Sequence, residues 1–355
     1  MFLRAFTSPG PALGLASAAL FGASTPLAKL LLGEVDPWLL AGLLYLGSGI
    51  GLGIVHLGRR SLGIEPPEAP LRRADLPWLA AVILAGGVIG PVLLMLGLSV
   101  TPASSAALLL NVEGLATIGI AWAVFHESAD RRIVLGALSI LGGAVLLSWQ
   151  GSADSAGWGA MAIVGACLAW GLDNNLTRKL SAADPVQIAM LKGLAAGAVN
   201  LALALWHGAA LPTAGPVVGA GVVGFFGYGV SLVLFVLALR HLGAARTGAY
   251  FSMAPFIGAM LALGLFGEPL TVRLVAAAAL MGVGLYLHLA EHHEHEHGHE
   301  ELQHEHTHVH DGHHQHEHGP GIEPGEPHVH VHRHAPMVHR HPHYPDLHHR
   351  HTHTV

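Results

Sequence analysis

Residues 76–98, LPWLAAVILAGGVIGPVLLMLGL, and residues 103–125, ASSAALLLNVEGLATIGIAWAVF, stand four positions apart and hold one charged side chain between them, Glu113. A bilayer's hydrocarbon core of about 30 Å takes roughly 20 apolar residues as a helix, so each stretch reads as a membrane span and the pair as a helical hairpin. The same ruler, applied outward, gives about ten segments bounded by short charged or turn-rich gaps. They are 11–32, 37–57, 76–98, 103–125, 132–149, 157–177, 185–207, 215–239, 244–266 and 271–290.

Composition agrees. The 355 residues are 52% hydrophobic and 11% charged, where a soluble domain carries about a quarter charged residues. The mean hydropathy of +0.51 averages an apolar body with a polar tail that begins near Glu291. The single cysteine, Cys167, excludes an intramolecular disulfide and a cysteine-based metal cluster. The first segment has the Arg4, apolar run and small residues of a secretory signal. It is expected to stay as a helix, because Lys29 and the internal repeat described below require it.

Positive charges orient the spans. With the N-terminus inside, one set of turns receives Arg59, Arg60, Arg72, Arg73, Arg131, Arg132, Arg178, Lys179, Arg240 and Arg246. The turns on the other side hold only Arg273, so both termini are expected in the cytoplasm of a multi-pass inner-membrane protein. Trp38, Trp78, Trp122, Trp149, Trp158 and Trp206 fall near span ends, as amphipathic rings at a headgroup layer do, and only Trp170 lies deeper.

The second half of the body repeats the first. Phe21-Gly22 and Lys29 align with Trp170-Gly171 and Arg178, and Phe125-His126-Glu127 with Phe266-Gly267-Glu268, followed at equal spacing by Arg132 and Arg273. Each half, 11–149 and 157–290, holds five helices. An odd number forces two halves of one fold to lie upside down relative to each other, a recurrent design of secondary transporters. The fold expected is therefore an all-α membrane protein of two inverted five-helix repeats, plus a disordered tail over 291–355.

These residues also resemble a known family. Phe21-Gly22 through Lys29 is similar to the aromatic-Gly…Lys signature in the first helix of EamA-type members of the drug/metabolite transporter superfamily. Phe125-His126-Glu127 and Phe266-Gly267-Glu268 resemble the Gly-Glu turn that closes the fourth and ninth helices there. The resemblance covers nearly all of 11–290 and implies a ten-helix inner-membrane carrier, commonly an exporter of amino acids or other small metabolites. His126 in place of a small residue, and Pro26 within the first helix, depart from the pattern.

An ionisable group in hydrocarbon costs at least about 2.5 to 3.5 kcal/mol on insertion scales, so each one calls for a partner or a water-filled cavity. Glu113 lies about ten residues into its span, about 15 Å deep and near midplane. Thr117 is its neighbour at i+4, whereas Asn111 is displaced by about 200° and faces elsewhere. Asp173 and Lys192 sit at similar depths and suit an ion pair; Lys192, Ala196 and Asn200 form one stripe. Trp170, Asn174 and Arg178 form another, beside the unusually polar triplet Asp173-Asn174-Asn175. The substrate or ion pathway is assigned to Glu113, Asn111, Thr117, Asp173, Asn174, Lys192, Asn200 and Lys29, with Glu113 binding a cation or proton. For each, the alternative is structural: a pair that staples helices, a snorkelling lysine, or an anchor at a helix end. Pro26, Pro91 and Pro255 free backbone carbonyls within or near spans. Gly193-x-x-x-Gly197 reads as a packing motif, and Glu127 and Glu268 as helix caps or loop ties.

From His292 the chain repeats His-x-His, as in His306, His308 and His310 and in His328, His330, His332 and His334. Such a segment buries no core. In extended chain, i and i+2 point the same way about 7 Å apart, a spacing that lets imidazoles share a Ni(II), Zn(II), Cu(II) or Co(II) ion. A transition metal at the tail is thus the one cofactor expected, and none is required.

No phosphate-cradling Gly-rich loop ending in Lys-Ser/Thr occurs, and no catalytic pairing, so an enzyme is not expected. Three functions stay open: a secondary carrier of small metabolites, a transition-metal transporter loaded or gated by its tail, and a metal-responsive membrane sensor. The expected partners are the lipid bilayer, a small-molecule substrate and, as an open alternative, a second copy in a homodimer; nucleic acid is not among them.

Overall fold

In the computed structural model residues 76–98 and 103–125 are both helical, but neither is a uniform rod. The first runs as α3 (Leu76–Val82), a π-helical turn (Ile83–Ile89) and α4 (Gly90–Val100). The second is α5 (Ala103–Leu109) and α6 (Val112–Phe125), parted at Leu110 and Asn111. The other helices are α1 (Gly10–Leu31), α2 (Pro37–Ser61), α7 (Arg131–Ser148), α8 (Trp158–Thr177), α9 (Pro185–Trp206), α10 (Ala214–Gly224), α11 (Ser231–Phe251), α12 (Ala254–Phe266) and α13 (Val272–Leu289). A second π-turn, Phe225–Val230, joins α10 to α11. The structure describes residues 10–63, 71–125, 131–148, 157–177, 180, 183–289, 294–299, 302–308, 328–334 and 337–342.

Among the described residues, six helical stretches have the length and apolarity to cross a bilayer: Gly10–Leu31, Pro37–Ser61, Arg73–Val100, Ala103–Ile120, Pro185–Trp206 and Ala214–Ala238. Val134–Ser148, Ala254–Phe266 and Val272–Leu287 are shorter apolar helices. The body is a multi-spanning helical membrane protein, the architecture that keeps backbone polar groups paired within each segment. Trp158 and Trp206 stand at helix ends and are 59% and 86% exposed, while Trp170 is 6% exposed.

Helix starts follow local chemistry. Asp36 accepts from the amides of Trp38 (2.9 Å) and Leu39 (3.2 Å), and Asp184 accepts from Val186 N (2.8 Å). In both cases proline follows, where the missing N–H is harmless. These Asp-Pro starts open the second helix of each half.

The span boundary expected near residues 239–244 takes an unforeseen form. Helical bonding is continuous over Ser231–Phe251, yet the rings of Phe235 and Phe251 pack 4.9 Å apart. A straight helix would separate them by about 24 Å. Ser231–Phe251 is therefore not a straight helix, and the non-helical break falls later, at Ser252 and Met253.

Close approaches between helices rest on glycine. A Cβ on Gly22 would lie 2.3 Å from Ala254 O, and one on Gly171 would lie 2.7 Å from Ala116 Cβ. The aromatic-Gly pairs thus let α1 cross α12 and α8 cross α6 at backbone distance. Gly193 and Gly197 bring α9 onto α2 at Gly49 and Gly42, the packing role expected of them. Leu39, Leu44, Leu94, Met95, Leu108 and Ile163 belong to the buried core around these crossings.

Beyond Glu291 the tail is a separate unit. Where the His-x-His pattern led to an expectation of no regular structure, the described stretches are strands: β1 (Glu294–His299) pairs antiparallel with β4 (Met337–Pro342), and β2 (Leu302–His308) with β3 (His328–His334). Alternating sequence with interspersed Val and Thr is compatible with extended chain, and ladder bonds pair its backbone without a core.

Candidate functional site

Pro91 organises the site through the donor it lacks. It has no N–H, so it cannot donate to Gly87 O in the α pattern or to Gly86 O in the π pattern. Gly90 N, the α-pattern donor to Gly86 O, goes instead to Ala85 O. Gly86 O thus loses both of its helical donors and Gly87 O its α-pattern donor, and inside the membrane such carbonyls need partners. Gly86 O accepts from the Tyr45 hydroxyl (2.7 Å) and from Trp170 Nε1 (2.9 Å); Gly87 O accepts from Asn200 Nδ2 (2.9 Å).

Beside this hub, Asp173 on α8 and Lys192 on α9 form a directly hydrogen-bonded ion pair. Thr177 Oγ1 donates to the other carboxylate oxygen of Asp173 at 3.3 Å. Gly86 makes room for it, since a Cβ there would lie 2.0 Å from Asp173 Oδ2.

Glu113 occupies the first turn of α6, just past the break. Asn174 Nδ2 donates to Glu113 Oε1 (3.0 Å) and to Thr117 Oγ1 (3.2 Å). Asn175 Nδ2 donates to Thr117 O (3.0 Å) and Gly171 O (2.8 Å), fixing α8 against α6. The polar triplet thus divides its labour by helical rotation: Asp173 toward α9, Asn174 toward the α6 side chains, Asn175 toward the α6 backbone. Leu168 and Leu172 mark an exposed apolar face of α8. Asn174, also exposed, lies about 200° round from Leu172, so its exposure opens on the other side, where half-buried Glu113 stands.

Of the residues assigned from sequence, Glu113, Thr117, Asn174, Asp173 and Lys192 come together, and Asn200 joins through Gly87. Asn111 does not: it is buried, with Nδ2 on Leu108 O (2.8 Å) and 3.9 Å from Met281 Sδ. Lys29 stands apart as well. Its Nζ donates to the carbonyls of Leu98, Ser99 (3.1 Å) and Thr101 (3.0 Å) at the end of α4, the anchoring alternative rather than an approach to the site. Glu268 ties a loop, accepting from Ala103 N, Ser104 N and Ser104 Oγ. Glu127 and Arg178 lie outside the described residues. So does His310; His306, His308, His328, His330, His332 and His334 lie on β2 and β3. Among the described residues no group of three or more His, Cys, Asp or Glu is placed to hold a metal ion.

Sequence reasoning missed the hub of Gly86, Gly87, Tyr45 and Trp170; the available signal was Pro91, four residues after Gly87. It also missed an aromatic string. The Tyr45 ring lies 5.5 Å from Tyr228, which lies 6.0 Å from Phe21, which lies 5.3 Å from Phe251. Tyr228 belongs to the second π-turn, so the string links the two turns.

The two π-turns start 142 positions apart, at Ile83 and Phe225, and so do the helices after each break, at Val112 and Ala254. Comparison with known proteins accords with this duplication. The model of the EamA-like transporter family matches twice, over residues 8–149 and 157–290. An uncharacterized transporter of Methanothermobacter thermautotrophicus is 30% identical over 279 residues, covering 74% of this chain and 81% of that protein. A crystal structure at 20% identity superposes with a TM-score of 0.59 over 79% of this chain and 96% of its own, a likeness of fold. With both halves matched and the relative a transporter, the chain belongs to the EamA-like transporter family.

Proposed function

We propose that the chain is a secondary carrier that exports small metabolites such as amino acids by exposing one site alternately to the two sides of the membrane. In this reading the body is ten spans in two inverted halves, in the inner membrane with both termini cytoplasmic. One observation carries it: Glu113 and Thr117 of the first half are hydrogen-bonded by Asn174 of the second, next in sequence to Asp173, which pairs with Lys192. A charged cluster between repeats, beside a broken helix, is where repeat-built carriers bind substrate. The cluster offers carboxylates to a cationic group and an ammonium to an anionic one, which suits a zwitterionic solute.

Purified protein in vesicles, screened against amino acids, nucleosides and divalent metals with and without residues beyond Ala290, tests the reading. The expected result is organic transport that survives truncation. A carrier that moves only Ni(II), Co(II) or Zn(II), and only with its tail, would replace this reading with that of a metal transporter. Metal binding by the tail is kept in this reading as an accessory; cross-strand pairing sets His304, His306 and His308 opposite His332, His330 and His328, two imidazoles at each position.

A further inference from the structure

Lys29 and Glu268 lie far apart in sequence, on the first helix of one half and just past α12 of the other, yet both close on the turn at residues 98–104. Lys29 takes the carbonyl side, at Leu98, Ser99 and Thr101. Glu268 takes the amide side, with one oxygen on Ala103 N (2.8 Å) and the other on Ser104 N (3.1 Å) and the Ser104 hydroxyl. A cation on the last carbonyls of one helix and an anion on the first amides of the next complement both helix ends. The turn has no such cap of its own, since Pro102, at the start of α5, offers no side-chain bond. Glu268 in turn is set by Gly267, whose left-handed φ of 59° ends α12 and redirects the chain.

We propose that Lys29 and Glu268 are positioning residues of transport: a releasable clamp that shuts the carrier on the face opposite its arginine-bearing loops, and that lets go when the site opens to that face. The proposal rests on the alternating-exposure reading. Three features separate a clamp from a permanent staple. Both grips are side-chain bonds between different elements, to backbone groups and the Ser104 hydroxyl, so releasing them breaks no helix. The gripped element, α5, is only seven residues long and ends at the break before α6. Glu113 lies in the first turn beyond that break, so a displacement of α5 is delivered next to the site. In the sequence repeat, the positions equivalent to Lys29 and Glu268 hold another basic and another acidic residue, Arg178 and Glu127.

The test reads accessibility, which loss of stability alone would not polarise. In a C167S background, a single cysteine introduced by N174C is labelled with a membrane-impermeant thiol reagent from either face of oriented vesicles. K29M and E268Q are expected to raise labelling from the clamp face by about tenfold, the least that losing a charge-assisted hydrogen bond should give. Labelling from the opposite face should not rise, and K29R and E268D should fall nearer the native rate. Unchanged labelling, or an equal rise from both faces, overturns the clamp. Should these variants not fold, S104C with E268C, joined by a short reducible bifunctional thiol reagent, decides: the joined protein should lose labelling from the clamp face and regain it on reduction. Persistent labelling while joined overturns the proposal. Because labelling needs no substrate, its outcome is independent of whether a transported solute has been found, and its failure leaves any result for Glu113 standing.

Discussion

Glu113 and the Asp173–Lys192 pair differ in what their removal should do. The Glu113 carboxylate is half-buried and held by one amide, so E113Q keeps the shape and the Asn174 and Thr117 neighbours while removing the charge. We expect E113Q to insert and melt as the native protein does and to lose transport in vesicles; full activity would remove Glu113 from the mechanism. Asp173 is 5% exposed and paired with a lysine within the membrane. D173N leaves that lysine uncompensated, a change that typically costs about 3 to 5 kcal/mol. Its detergent melting midpoint should fall sharply, and D173L with K192M should recover much of the loss without recovering transport. The ionisable members of the site were legible in sequence because a charge in hydrocarbon is conspicuous and needs a partner. Tyr45 and Trp170 were not, because their partners are backbone carbonyls exposed by a π register that no side-chain pattern announces. The target of Lys29 was equally hidden, since it is a turn about 70 residues away.

At the scale of elements, apolar runs of about 20 residues sufficed to place most helices. The interruptions inside them, which position the site, were foreshadowed only by proline. Pro91 is the clearest case. P91A restores an N–H that can bond Gly87 O, in competition with Asn200, and favours the ordinary helical register over the π-turn. The helix should become more stable while its free carbonyls close. We therefore expect P91A to melt no lower than the native protein yet to transport several-fold more slowly. A variant that transports at the native rate would show that the π-turn is incidental. G86A is the opposite perturbation, with its Cβ forced against the Asp173 carboxylate, and it should lower both stability and transport.

For the whole molecule, charge asymmetry gains a structural reason. The exposed Arg59, Arg60, Arg72 and Arg73 crowd one face, whereas the cations of the other are engaged by helix ends: Lys29 by the carbonyls that close α4, and Arg273 by Leu146 O and Leu147 O near the end of α7. A cation bound to helix-end carbonyls is less able to hold its loop on the cytoplasmic side than a free one, so the arginine-bearing loops should set the orientation. The tail from His292 belongs to a separate unit, in which the described strands form two two-stranded ladders. Truncation after Ala290 should therefore leave insertion, melting and organic transport unchanged and remove Ni(II) and Zn(II) binding, read by titration calorimetry of the two proteins. If truncation instead abolished transport while the body still inserted and melted normally, the tail would have to be counted as a working part of the carrier.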